Sequence, residues 1–204
     1  MAVFFVVTEH PSFLTPDKER HYERIRGRLE GAAGARVESL SYLELGSAFA
    51  ADAIVLSGSF APWALHDQPA LDRLGAAVCG FEGPVLGICA GMQLQVMFAG
   101  GAVGHGEKGL QKGYRAIDVL DDSDLLRGLP AEATVYQHHG DEVTNLPRDF
   151  RVLATSSECA VEAVAAPGRR WWGTQFHPEE FEPAHPAGRR VLRNFFELAL
   201  SRSV

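Results

Sequence analysis

No stretch of this chain reaches the ~18 consecutive apolar residues that a membrane-spanning helix needs. The opening apolar run, Met1 to Val7, is too short for a secretory leader and has no basic segment before it. It reads as a buried first strand. Cysteine is scarce: Cys79, Cys89 and Cys159 are too few and too widely spaced for a disulfide framework or a zinc site. Free thiols fit a reducing, cytoplasmic setting. Basic charge is also short, with a net charge of -7 that argues against nucleic acid as a partner. The arginines fall on expected helices (Arg20, Arg24, Arg26 and Arg28; Arg189, Arg190 and Arg193), where solvated faces are the ordinary reading. Repeats, low-complexity tracts and long linkers are missing, as is a Gly-x-x-x-x-Gly-Lys phosphate loop.

What is present suits one domain over residues 1–204, with 46% apolar and 22% charged residues. Short apolar runs alternate with helical patterns through the first half. Strands are expected over Ala2–Val7, Arg36–Leu40, Ala53–Leu56 and Pro84–Ile88. Helices are expected over Pro16–Glu30 (capped by Thr15), Gln68–Cys79 and Gly91–Phe98. That order predicts an open, mostly parallel sheet covered by helices. The second half is β-rich over Tyr114–Val119, Thr134–Gln137, Arg151–Ala154, Ala160–Ala165 and Trp171–Gln175, which predicts a small antiparallel extension. A closing helix is expected over Arg189–Leu200. In such sheets, sites form at the carboxyl ends of strands.

One of those ends stands out. Pro84-Val85-Leu86-Gly87-Ile88-Cys89-Ala90-Gly91-Met92-Gln93 runs from a buried strand through Gly-x-Cys-x-Gly straight into a helix. This is the cysteine form of a nucleophile elbow. Glycines two residues either side of Cys89 admit a turn too tight for a Cβ. The sulfur then lies at a helix N-terminus, where free N–H groups and the helix dipole favour a thiolate. The Ala90 amide points to where an oxyanion would develop. Cys79 and Cys159 have no such setting and read as small buried apolar residues. A cysteine nucleophile needs an acid/base partner. Thr174-Gln175-Phe176-His177-Pro178-Glu179 offers His177 at a strand end, with Glu179 spaced rigidly beyond Pro178 to orient the imidazole.

Gly-Ile-Cys-Ala-Gly-Met-Gln followed by Gln-Phe-His-Pro-Glu resembles the class I glutamine amidotransferases. The resemblance extends from Ala53 to Leu200. It implies a flavodoxin-like α/β fold and a Cys89–His177–Glu179 triad that hydrolyses the glutamine side-chain amide without metal or organic cofactor. It also implies that Gln93 contacts substrate glutamine, and more weakly that His138, Gly140 and Asp141 hold its α-amino and carboxylate ends. Gly58, Ser59 and Ala90 correspond to the oxyanion hole. At Ser59 members of the family usually carry glycine, so the loop either shifts before its amide can donate or holds a left-handed backbone at about 1 kcal/mol.

Within the family, several stretches are most similar to the stand-alone glutaminase subunits of GMP synthetase: Gly106–Gly109, Asp121–Pro130, His139–Asp141 and Leu192–Phe195. Residues 8–16 depart from that pattern and read as a surface loop that could also cover the site or meet a partner. The implied partner is a separate synthetase chain that accepts the ammonia. Two other readings stay open: a γ-glutamyl amide or peptide hydrolase without ammonia transfer, and a catalytically impaired regulatory subunit.

Overall fold

Strands whose every side chain is apolar need cover on both faces. β3 (Ala53–Leu56) and β4 (Val85–Ile88) are of this kind and are buried at every position. The computed structural model describes residues 2–45 and 49–200. In it these strands lie near the middle of a nine-stranded sheet. β2 (Val37–Ser41), β1 (Val3–Val7), β3, β4 and β11 (Trp171–Thr174) are adjacent and mutually parallel. The sheet continues antiparallel through β10 (Ala163–Ala166), β9 (Arg151–Thr155), β6 (Gln111–Val119) and β7 (Glu132–His139). A separate antiparallel pair is formed by β5 (Ala102–His105) and β8 (Asp141–Asn145).

Alternation along β1 divides the core. Val3 and Phe5 face one apolar layer with Tyr22, Ile25 and Leu29 of helix α1 (Pro16–Ala33) and Val191, Leu192 and Phe195 of α4 (Ala187–Leu200). Val6 faces the other layer, with Leu71 and Leu74 of α2 (Gln68–Cys79) and Met92 and Leu94 of α3 (Ala90–Phe98). Period-two strands under amphipathic helices produce this two-sided packing. Local signals set the helix ends. The Thr15 hydroxyl accepts from the Lys18 N–H, Asp67 accepts from the Ala70 N–H, and Gly34 closes α1 at φ 61°.

β5 and β8 are additions to the expected elements. Their residues are mixed in polarity and short of β-branched runs, so the pattern carries no strand signal there.

The functional consequence of the topology is adjacency. β1, β3, β4 and β11 are parallel neighbours, so Glu9, Gly58, Cys89 and His177, which follow them, lie along one edge.

Candidate active site

Cys89 is one of two non-glycine residues with positive φ among those described, at φ 51° and ψ −109°. Such a backbone costs on the order of 1–3 kcal/mol and persists only where its surroundings impose it. Here they do. The Cys89 N–H donates to the Thr174 carbonyl at 2.7 Å, and its carbonyl accepts from the Gln93 N–H at 3.0 Å, which starts α3. The flanking glycines are required by space. A Cβ on Gly87 would sit 2.5 Å from the Met92 nitrogen, and one on Gly91 would sit 2.4 Å from the Leu56 carbonyl oxygen.

His177 reaches the same point from the end of β11. Its Nδ1 lies 2.8 Å from Glu179 Oε1, and both residues are buried. A methyl group at Gly58 would be 3.0 Å from His177 Cε1 and 3.5 Å from Cys89 Cβ, so imidazole and cysteine flank the same glycine. Burial pushes the imidazolium's pKa down, but the Glu179 carboxylate and the Cys89 sulfur outweigh it. The net effect holds the ring well above the ordinary histidine value. The other ring nitrogen, Nε2, is buried and unpaired. Nδ1 is therefore tied to the carboxylate while Nε2 is available for proton transfer.

The segment 177–180 is fixed from outside. Arg28 donates to the Glu179 carbonyl, and both Arg24 (3.2 Å) and Arg28 (3.4 Å) pair with Glu180. The Tyr114 hydroxyl donates to the Glu180 carbonyl at 2.6 Å. Two of the four α1 arginines expected on a solvated face therefore tether the strand end that carries His177. Arg20 and Arg26 instead pair locally with Asp17 and with Glu23 and Glu30.

The remaining expected residues fall around a cleft of about 360 Å³, lined by Ser59, Cys89, Ala90, Gln93, His138, Gly140 and Asp141. That size suits a small molecule. Gln93 is 3% exposed, so it is no helix-surface residue. Its side-chain amide donates to the Asp141 carbonyl at 2.8 Å and to Gln175 Oε1 at 3.1 Å. Gln175 in turn donates to Cys89 Sγ at 3.6 Å. The pKa of His138 is lowered by burial and then by His177.

Two expectations change. Ser59 is not among the left-handed residues, so the anticipated backbone strain is not there. Residues 8–16 are only partly a surface loop: Thr8 and Glu9 are buried, and Glu9 accepts from the Ser59 hydroxyl at 2.9 Å.

Beside the cleft, His139, Cys159 and Glu162 bring three metal-ligand atoms within 4.8 Å of one another. Tetrahedral zinc at bonds of ~2.0–2.3 Å needs ligand atoms roughly 3.3–3.7 Å apart, so the cluster is looser than a zinc site. Burial keeps all three groups neutral. It lowers His139 to about 4 and raises the Cys159 thiol and the Glu162 carboxyl. Hydrogen bonds account for much of the rest, with His139 Nδ1 donating to the Asp141 carbonyl (3.2 Å) and Gln137 donating to Glu162 (2.9 Å).

A sequence model of the family described as glutamine amidotransferase class-I matches residues 33–199, which takes in Gly58, Cys89, His177 and Glu179. The chain belongs to this family. Among curated proteins, a glutamine-hydrolysing GMP synthase subunit from Thermococcus kodakarensis is 44% identical over 118 residues, 58% of this chain and 61% of that one. The subunit of the same name from Natronomonas pharaonis is 42% identical over 154 residues, covering 72% and 76% of the two chains. The chain thus spans about 61% of the length of the first curated relatives it matches.

Among solved structures, a Thermoplasma acidophilum protein provisionally described as a GMP synthase subunit superposes with a TM-score of 0.80. It is 29% identical, with 98% of this chain and 95% of that one covered. A Thermotoga maritima glutamine amidotransferase superposes at 0.73 with 19% identity over 98% and 99% of the chains, a likeness of fold alone.

The sequence of this amidotransferase does not by itself single out Glu9, Tyr22, Arg28 or Gln175. Gln175 lies inside the histidine motif and is legible by position. The others become meaningful only once the ends of β1, β3 and β11 are adjacent.

Proposed function

We propose that the chain is a single-domain glutaminase that releases ammonia from glutamine for a separate synthetase, as the glutamine-hydrolysing half of a two-subunit GMP synthase. The observation that carries this is the convergence of a strained elbow cysteine with a buried His177–Glu179 pair at one end of a parallel sheet. The pathway rests on relatives named as glutamine-hydrolysing GMP synthase subunits at 42–44% identity.

In this reading the Cys89 sulfur attacks the side-chain carboxamide carbon of glutamine. The negative charge moves to the carbonyl oxygen, which the Ala90 and Ser59 amides stabilise. His177 gives its Nε2 proton to the departing nitrogen, and ammonia leaves a γ-glutamyl thioester on Cys89. Water then attacks the thioester while His177 takes its proton, and glutamate and the free thiol result. Glu179 fixes the ring's tautomer and stabilises its cationic form throughout. Gln93 and the His138–Asp141 segment hold the amino-acid end of the substrate. Gly58 provides the close approach of loop to nucleophile that a side chain would block.

The chemistry asks for no metal or organic cofactor. The acceptor is a separate chain because no phosphate-binding loop occurs in this sequence. A cytoplasmic setting agrees with three free thiols. Among the described residues, no helix is long and apolar enough to cross a membrane.

The test is glutamate and ammonia release from glutamine by the wild-type chain and by Cys89→Ala, with and without a candidate ATP-dependent synthetase. Release that needs Cys89, with ammonia captured when the synthetase is added, is the expected result. Faster release from γ-glutamyl peptides than from glutamine would redirect the assignment to a γ-glutamyl hydrolase.

A further inference from the structure

Glu9 lies just beyond β1 with 1% of its surface exposed, and five donors surround its carboxylate. Oε1 accepts from the Ser59 hydroxyl at 2.9 Å, the His10 N–H at 3.0 Å and the Ala61 N–H at 3.1 Å. Oε2 accepts from the Phe60 N–H at 2.8 Å and lies 3.1 Å from the Tyr22 hydroxyl. A buried carboxylate costs several kcal/mol unless it is hydrogen-bonded, and three of these five donors come from residues 59–61. That segment directly follows Gly58, the glycine flanked by Cys89 and His177.

The neighbouring peptide is oriented by the same group of side chains. The Gly58 carbonyl accepts from the Ser57 hydroxyl at 2.7 Å and lies 3.1 Å from the Tyr22 hydroxyl and 3.4 Å from that of Thr8. In a trans peptide the C=O and N–H point in opposite directions. With the carbonyl turned to these hydroxyls, the Ser59 N–H is turned away from them. It has no acceptor among the described residues, and Ser59 lines the cleft that contains Cys89 and Ala90.

We propose that Glu9 is a positioning residue that locks the loop after β3, so that the Ser59 amide is preset as an oxyanion donor. This deepens the proposed function and rests on it. The serine at the position of the family's usual glycine has a role here. Its hydroxyl is one of the ties to Glu9, so the loop is held by side-chain bonds rather than by glycine's backbone freedom. Tyr22 completes the clamp by bridging Glu9 and the Gly58 carbonyl.

The test compares wild-type protein with Glu9→Gln, Tyr22→Phe and Ser59→Ala. Glu9→Gln keeps the shape but sets amide hydrogens against N–H groups that need an acceptor. The expected result is a fall in kcat for glutamine hydrolysis of about 10- to 100-fold with KM nearly unchanged, as for loss of an oxyanion donor. Amide exchange at Phe60 and Ala61 should accelerate while the strands keep their protection. Tyr22→Phe and Ser59→Ala each remove one tie and should lower kcat by roughly 3- to 10-fold. These two variants carry the test if Glu9→Gln does not fold.

Unchanged kcat with unchanged exchange at Phe60 and Ala61 overturns the proposal, as does a loss confined to KM. A general loss of strand protection also overturns it, because it assigns Glu9 to the core alone. If wild-type protein fails to hydrolyse glutamine, the proposed function falls separately, and the exchange comparison still decides whether Glu9 holds the loop.

Discussion

The two halves of the sheet handle polar groups in opposite ways. At the carboxyl ends of β1, β3, β4 and β11, the structure concentrates backbone strain, a buried ion pair and unpaired N–H groups around Cys89. Across the cleft, the end of β7 is backed by His139, Cys159 and Glu162, which burial holds neutral and largely hydrogen-bonded. The parallel half gives up stability to keep groups reactive. The antiparallel half contributes polar groups and carbonyls suited to gripping a substrate. Changes in the first half should therefore act on kcat, and changes in the second on KM or stability.

The largest expected effect is from Cys89→Ala, which should lower glutaminase kcat by about 10⁴-fold or more in steady-state assays. His177→Ala should come close to that, with a loss of about 10²- to 10⁴-fold for removal of an acid/base group. Glu179→Gln leaves the ring without its anion. It should lower the His177 pKa, read by NMR titration, and cut kcat by roughly 10- to 100-fold while leaving KM near the wild-type value. On the other side of the cleft, Gln93→Ala should raise KM about tenfold with a smaller change in kcat, sharpening the contrast.

His139 tests the antiparallel half through stability. Its folded-state pKa of about 4 lies below the ordinary histidine value of 6.5. Between those values the unfolded chain binds a proton that folded His139 refuses, so this contribution to stability is present above pH 6.5 and falls away toward pH 4. Urea midpoints should drop across that window, and His139→Gln should flatten the drop. An equally steep loss in the variant would assign the effect to other groups.

The elbow and the histidine motif are legible because each is local. The spacing of Gly87, Cys89 and Gly91 expresses steric demands within about ten residues, and the β4 run before it expresses burial. The strong apolar runs also reveal the parallel half of the fold, with several element ends correct to within a few residues. β5 and β8 are not legible, since their pairing is supplied by tertiary contact rather than by pattern. Glu9 is hidden for the same reason. A lone carboxylate in a Pro-containing loop looks solvated until β3 and α1 bring Phe60, Ala61 and Tyr22 to it. Arg28 shows a similar limit, because helix position alone does not reveal which partner lies across a sheet edge.

The most direct measurement is rapid quenching of the wild-type chain during glutamine turnover, followed by peptide mass spectrometry. A γ-glutamyl group on the peptide containing Cys89, formed and lost at rates compatible with turnover and absent from Cys89→Ala, is the predicted result. Glutamate released at the wild-type rate by Cys89→Ala, or an adduct found on Cys79 or Cys159 instead, would contradict it.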